Sequence, residues 1–153
     1  MKHYITTPRR IITLLLMVFA PSLAAEQGSQ EPKIAIGGYS PVSYFTRDIA
    51  ERGSPAFAVE YDNKIYHLTS EEQVQTFQEN PQQFIPLFAE FCPYSLTLGR
   101  QVGIDPTNFK IIAGKLLLFH NSKELDGLAR WNDHNNDQEL LDKANQEYLK
   151  VRF

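Results

Sequence analysis

Three side chains hold the soft-ligand and thiol chemistry available to this chain: Cys92, His67 and His120. A thiolate and two imidazoles would suit copper or zinc if folding brought them together. No short spacing such as C-x-x-C or H-x-x-x-H joins them, so any convergence must come from tertiary structure. Taken singly, both histidines are equally consistent with ordinary strand-surface or packing residues. His134 stands in the polar run Asn132-Asp133-His134-Asn135-Asn136 and is expected in solvent.

Cys92 is the only cysteine, so no intramolecular disulfide can form. Pro93 follows it, and proline is favoured at the first position of a helix. The pattern predicts a helix from Pro93 to near Gly99 with Cys92 at its cap. There the helix dipole and unpaired N–H groups would favour the thiolate, which is both nucleophile and metal ligand. The competing expectation is a small buried hydrophobe beside Phe88, Phe91 and Leu96. A thiol-dependent enzyme or redox sensor would also need an activating base or a resolving thiol, and neither is visible.

Other catalytic signatures are missing. There is no G-x-S-x-G, no H-E-x-x-H, no phosphate-cradling glycine loop and no dinucleotide fingerprint. Gly37-Gly38 suggests a turn. The neighbouring acids Glu71-Glu72 and Glu60/Asp62 are explained by a helix start and a hairpin turn. Core packing is the default meaning of the dense aromatics from Tyr39 to Phe91, and of Trp131. No enzyme is expected.

The elements that must position these residues can be taken in order. Ile34-Ala35-Ile36 suggests a short strand. Ser40-Pro41 suggests a helix start running through Val42, Tyr44 and Phe45. Phe57–Glu60 and Lys64–Leu68 flank Asp62-Asn63 and predict a hairpin. Thr69 or Ser70 then caps a helix, with Glu72 and Gln73 at capping-box spacing, Val74 and Phe77 on its apolar face and Asn80-Pro81 ending it. A second hairpin joins Phe109–Ile112 to Lys115–His120 at Ala113-Gly114. A last helix from Asn136 aligns Leu140, Leu141, Ala144, Tyr148 and Val151 on one stripe, expected to pack on the sheet. Hairpins mixed with helices that do not alternate with single strands give an α+β fold.

Residues 1–24 have the order of a secretory signal peptide: Lys2, Arg9 and Arg10, an apolar run Ile11–Ala20, then Ser22 and Ala24 at small-residue positions. That apolar run is shorter than the ~20 residues a membrane span needs. The expected address is periplasmic or secreted, with no stable membrane span after cleavage. Residues 25–33 suggest a flexible leader, and residues 34–153 one domain. Cleavage would remove three of 15 basic residues and none of 18 acidic ones, leaving 12 against 18 and a formal charge of −6. Such a domain has no general attraction for nucleic acid or anionic lipid.

Several ordered motifs resemble one family. Gly38-Tyr39-Ser40-Pro41-Val42-Ser43-Tyr44-Phe45, Tyr61-Asp62-Asn63-Lys64-Ile65-Tyr66-His67-Leu68-Thr69-Ser70, Phe77 and Asn80-Pro81 are similar to the YHS domain family. Cys92-Pro93-Tyr94-Ser95, Leu98-Gly99-Arg100, Gly114-Lys115 and Trp131 fit its exported bacterial subgroup. The resemblance spans roughly Ile34 to Trp131. It implies a link to heavy-metal handling, because metal-binding members carry three cysteines in D-P-V-C and F-C-S-x-x-C stretches. Here Ser43, Thr69 and Gln73 stand at those three positions, and they are poor ligands for soft metals. Two functions follow. One is a copper- or zinc-binding module centred on Cys92 with help from His67 or His120. The other is a metal-free accessory domain that binds a periplasmic protein partner or a small ligand.

Overall fold

The computed structural model describes residues 31–152. The signal-peptide pattern and most of the expected leader lie outside the described residues. The fold is α+β: two small sheets, short helices between them and a long C-terminal helix.

Strand β1 (Lys33–Ile34) pairs in parallel with β3 (Lys64–Leu68), and β2 (Ser54–Tyr61) pairs antiparallel on its other side. Pairing thus begins at Lys33, inside the expected leader, and stops before Ala35. The predicted strand over residues 34–36 is cut short because Ala35–Gly38 curls into a 3-10 turn. Gly37 and Gly38 take left-handed backbone angles freely, at φ 57° and 81°. Ile36 is drawn into the same region at φ 51° although it is β-branched. The β2–β3 turn is Asp62-Asn63 with both φ values positive, as a tight hairpin requires.

Helix α1 (Pro41–Arg47) starts after Ser40, and α2 (Glu71–Glu79) after Ser70, whose hydroxyl accepts from the Gln73 N–H. Asn80 ends α2. Pro81 then opens a further short helix, α3 (Pro81–Phe84), because proline suits a first helical position. Helix α4 (Pro93–Thr97) begins where Pro93 predicted. The second hairpin is β4 (Phe109–Ile112) with β5 (Lys115–Leu118), closed by Ala113-Gly114. Helix α5 (Gly127–Asp133) follows the cap Asp126, and α6 (Asp137–Arg152) follows Asn136.

The core is divided in two, and β5 is the wall between the halves. Strand side chains alternate between faces. Leu116 and Leu118 face a first cluster with Val42, Tyr44, Leu68, Phe77 and Phe84. Leu117 and, just beyond the strand, Phe119 face a second cluster with Phe88, Cys92, Leu96, Trp131, Leu140 and Ala144. Each large apolar side chain buried in these clusters contributes about 1.5–3 kcal/mol of transfer free energy.

The expectation that α6 packs on the sheet needs correction. Its stripe lies chiefly against α4 and the second cluster, with Tyr148 edge-on to Phe88. Val151, assigned to that stripe, is exposed. Trp131 is the anchor the sequence suggested: fully buried, with its indole N–H donating to Asp137 at 2.7 Å. Among the described residues no helix is long and apolar enough to cross a membrane.

Candidate functional site

Cys92 occupies the cap position of α4, with its own N–H donated to the Val102 carbonyl at 2.8 Å. Its side chain makes no capping hydrogen bond and is fully buried in the second cluster. Gly127 is the residue that makes room for it. A Cβ on Gly127 would sit 2.8 Å from the Cys92 sulfur and 3.2 Å from the His120 carbonyl oxygen. Asp126 sets Gly127 there: its carboxylate accepts from the Leu128 and Ala129 N–H groups, and the Gly127 N–H donates to the His120 carbonyl. Those bonds, the Ala129 N–H first and the Asn108 amide next, hold the Asp126 carboxyl below its ordinary range.

The main chain of His120 therefore passes beside the thiol, but its imidazole is engaged elsewhere. Its Nδ1 lies 3.0 Å from the Gly103 carbonyl. His67 is on β3, opposite Ala58 and next to Gly38 and Gly53, in the other sheet. The expected Cys92–His67–His120 metal site is thus not assembled. Among the described residues no group of three or more His, Cys, Asp or Glu side chains could hold a metal ion. The reason is topological: β3 and β5 belong to different sheets, and Cys92 faces apolar packing. Of the two expectations for the thiol, the structure shows the buried hydrophobe beside Phe88, Phe91 and Leu96: the cap position fixed the backbone while packing turned the sulfur inward.

Ser43, Thr69 and Gln73 do come together, in one hydrogen-bonded network. Gln73 Oε1 accepts from the Ser40 hydroxyl at 2.6 Å and from the Thr69 N–H at 3.1 Å. Gln73 Nε2 donates to the Ser43 hydroxyl at 3.0 Å, and Ser43 donates onward to Glu51 Oε2 at 2.7 Å. Arg47 pairs with the same Glu51 carboxylate. Both lone pairs of the Gln73 carbonyl are occupied, and the Ser43 oxygen both accepts and donates. Ser40 was predicted as a helix cap; it holds that position, but its hydroxyl is spent on this contact with α2.

A third region escaped sequence reasoning. A cavity of about 120 Å³ opens between the Ala35–Ile36 turn, the start of β3, the 85–90 segment and Tyr148. Tyr66 lines it while being only 4% exposed. Its hydroxyl has no hydrogen-bond partner among the described residues. Burial, followed by the charges of Asp62, the neighbouring Tyr61 and Glu90, pushes this phenol up to about 12. The alternation of β3 placed Tyr66 on the inward face, but an inward tyrosine signals packing unless the opposite wall is missing.

No protein-family model matches the chain, and no curated protein or solved structure shows significant similarity to it.

Proposed function

We propose that this chain is an exported YHS-type domain working without a bound metal, as an accessory module for a protein partner or a small organic ligand. The observation that carries this reading is the joining of positions 43, 69 and 73 through Gln73. The family resemblance puts three thiols at those positions. Their meeting in one place supports the resemblance, because residues 26 to 30 apart have no local reason to meet. What stands there is a set of oxygens and amides hydrogen-bonded to one another, Thr69 through its main-chain N–H. A soft ion would have to break those bonds to gain weak ligands. The reading centred on Cys92 has less support, since a sealed thiol presents no open coordination position. Export rests on the signal-peptide pattern of residues 1–24.

Titration of the full chain with Cu(I) and with Zn(II), followed by metal analysis after desalting, tests the proposal. Less than about 0.1 equivalent retained, unchanged by Cys92→Ala, is the expected result. Stoichiometric retention that disappears with Cys92→Ala would overturn it. The variant Ser43→Cys/Thr69→Cys/Gln73→Cys is expected to gain metal retention, because it returns soft ligands to three converging positions.

A further inference from the structure

We propose that the cavity bounded by Tyr66, the 85–90 segment and Tyr148 binds a small organic cation, a compact apolar body bearing one protonated amine. It is a different place from the Ser43/Gln73 network, so the inference stands whether or not that network once held metal.

Three observations converge. The first is shape. About 120 Å³ suits a ring-sized body, and Ile36, Ile85, Pro86 and Leu87 provide apolar walls for it. The second is the Tyr66 hydroxyl. A buried polar group without a partner is costly, and nearly all such groups in folded proteins are satisfied. Ser95 is the one residue among those described whose side-chain polar atom is sealed from solvent without a partner. Tyr66 differs because it lines the cavity and its hydroxyl is not sealed from solvent, so a guest or water can complete it. The third is charge. Asp62, Glu90 and Lys64 all line the cavity; Glu90 is bridged to Lys64 at 3.1 Å, while Asp62 has no ion-pair partner among the described residues. One carboxylate is therefore left over beside a hydroxyl that can accept from an ammonium N–H. The upward shift of the Tyr66 phenol comes first from burial, with the charges of Asp62 and Glu90 adding to it.

A second groove widens the approach. It shares Asp62, Ile85, Pro86 and Leu87 with the cavity and extends to Tyr61, Gln82 and Lys115.

The test uses benzylamine as probe, with benzoate as the same body of opposite charge and toluene as the body alone. Amide chemical shifts of the 15N-labelled full chain are followed at pH 7. The expected result is a saturable shift of the Tyr66, Leu87 and Ala89 amides by benzylamine, with a dissociation constant of about 1 mM or below. Benzoate is expected to bind at least about tenfold more weakly, because it meets Asp62 with like charge. Tyr66→Phe and Asp62→Asn are each expected to weaken benzylamine by about tenfold. Tyr66→Phe removes a hydroxyl without a protein partner, so its remaining spectrum should match the parent and report folding directly. The proposal fails if benzylamine leaves these amides unmoved, if benzoate or toluene binds equally well, or if both variants bind it like the parent.

Discussion

Two places in this molecule could have carried soft-metal chemistry, and they have opposite characters. Around Gln73 the side chains are polar and joined to one another, with Ser40 and Ser43 fully buried, yet no thiol is there. Around Cys92 there is a thiol, yet every neighbour that matters is apolar or main chain. Bringing side chains together and giving them metal chemistry are separable. The first region is a meeting point filled with hydrogen bonds. The second has a sulfur without access. In neither case does one residue decide the outcome. Gln73 acts because the Ser40 hydroxyl and the Thr69 N–H donate to its carbonyl while Ser43 accepts from its amide, and Cys92 is silent because Gly127 lets a helix close over it.

The contrast can be broken most forcefully at Gly127. Gly127→Ala forces a methyl group against the Cys92 sulfur and the His120 carbonyl. The expected loss is roughly 3 kcal/mol, the upper end for overpacking, measured by urea denaturation. As α5 lifts, alkylation of Cys92 in the folded state should accelerate by more than about tenfold. Unchanged stability and labelling would mean the seal is not made there.

Next in size is Gln73→Leu, which keeps the bulk but removes the hub of the polar region. The Ser40 hydroxyl and the Thr69 N–H lose their acceptor, and Ser43 loses a donor. A loss of about 2 kcal/mol is expected in the same denaturation assay, with Cys92 labelling unaffected because β5 separates the two clusters. Faster labelling in this variant would show that the regions are coupled.

The smallest effect concerns Asp126. Asp126→Ala removes the α5 cap and should cost about 1 kcal/mol at pH 7. The carboxyl sits below its ordinary value in the folded state, so its contribution is fully present above the ordinary pKa and is lost as pH falls through the folded one. Parent and variant should therefore converge in stability as pH falls through and below the ordinary carboxylate range. A gap that persists at pH 2 would mean the aspartate acts through shape alone.

Local grammar made much of the fold legible in advance. Pro41 and Pro93 marked helix starts, Asp62-Asn63 and Ala113-Gly114 marked turns, and Asn136 marked the last helix. These succeed because steric limits on φ and capping hydrogen bonds act within a few residues. The misses came where distant parts compete. One exception is local: the strand at residues 34–36 was cut short by the turn that the adjacent Gly37 and Gly38 permit. Val151 continued the periodicity of α6 but reached past the end of its partner surface. Tyr66 carried no sign that one wall of its pocket would be left open.

By itself, then, the order of residues determined where the chain turns, where its helices begin, and that its one sulfur sits at a helix cap. Only the tertiary structure decided that this sulfur faces inward, that His67 and His120 stay apart, and that Ser43, Thr69 and Gln73 meet. The physical reason is range. Capping and turn preferences are paid out between neighbours, whereas burial and side-chain convergence depend on which faces β5 and the helices present to each other once the core has closed.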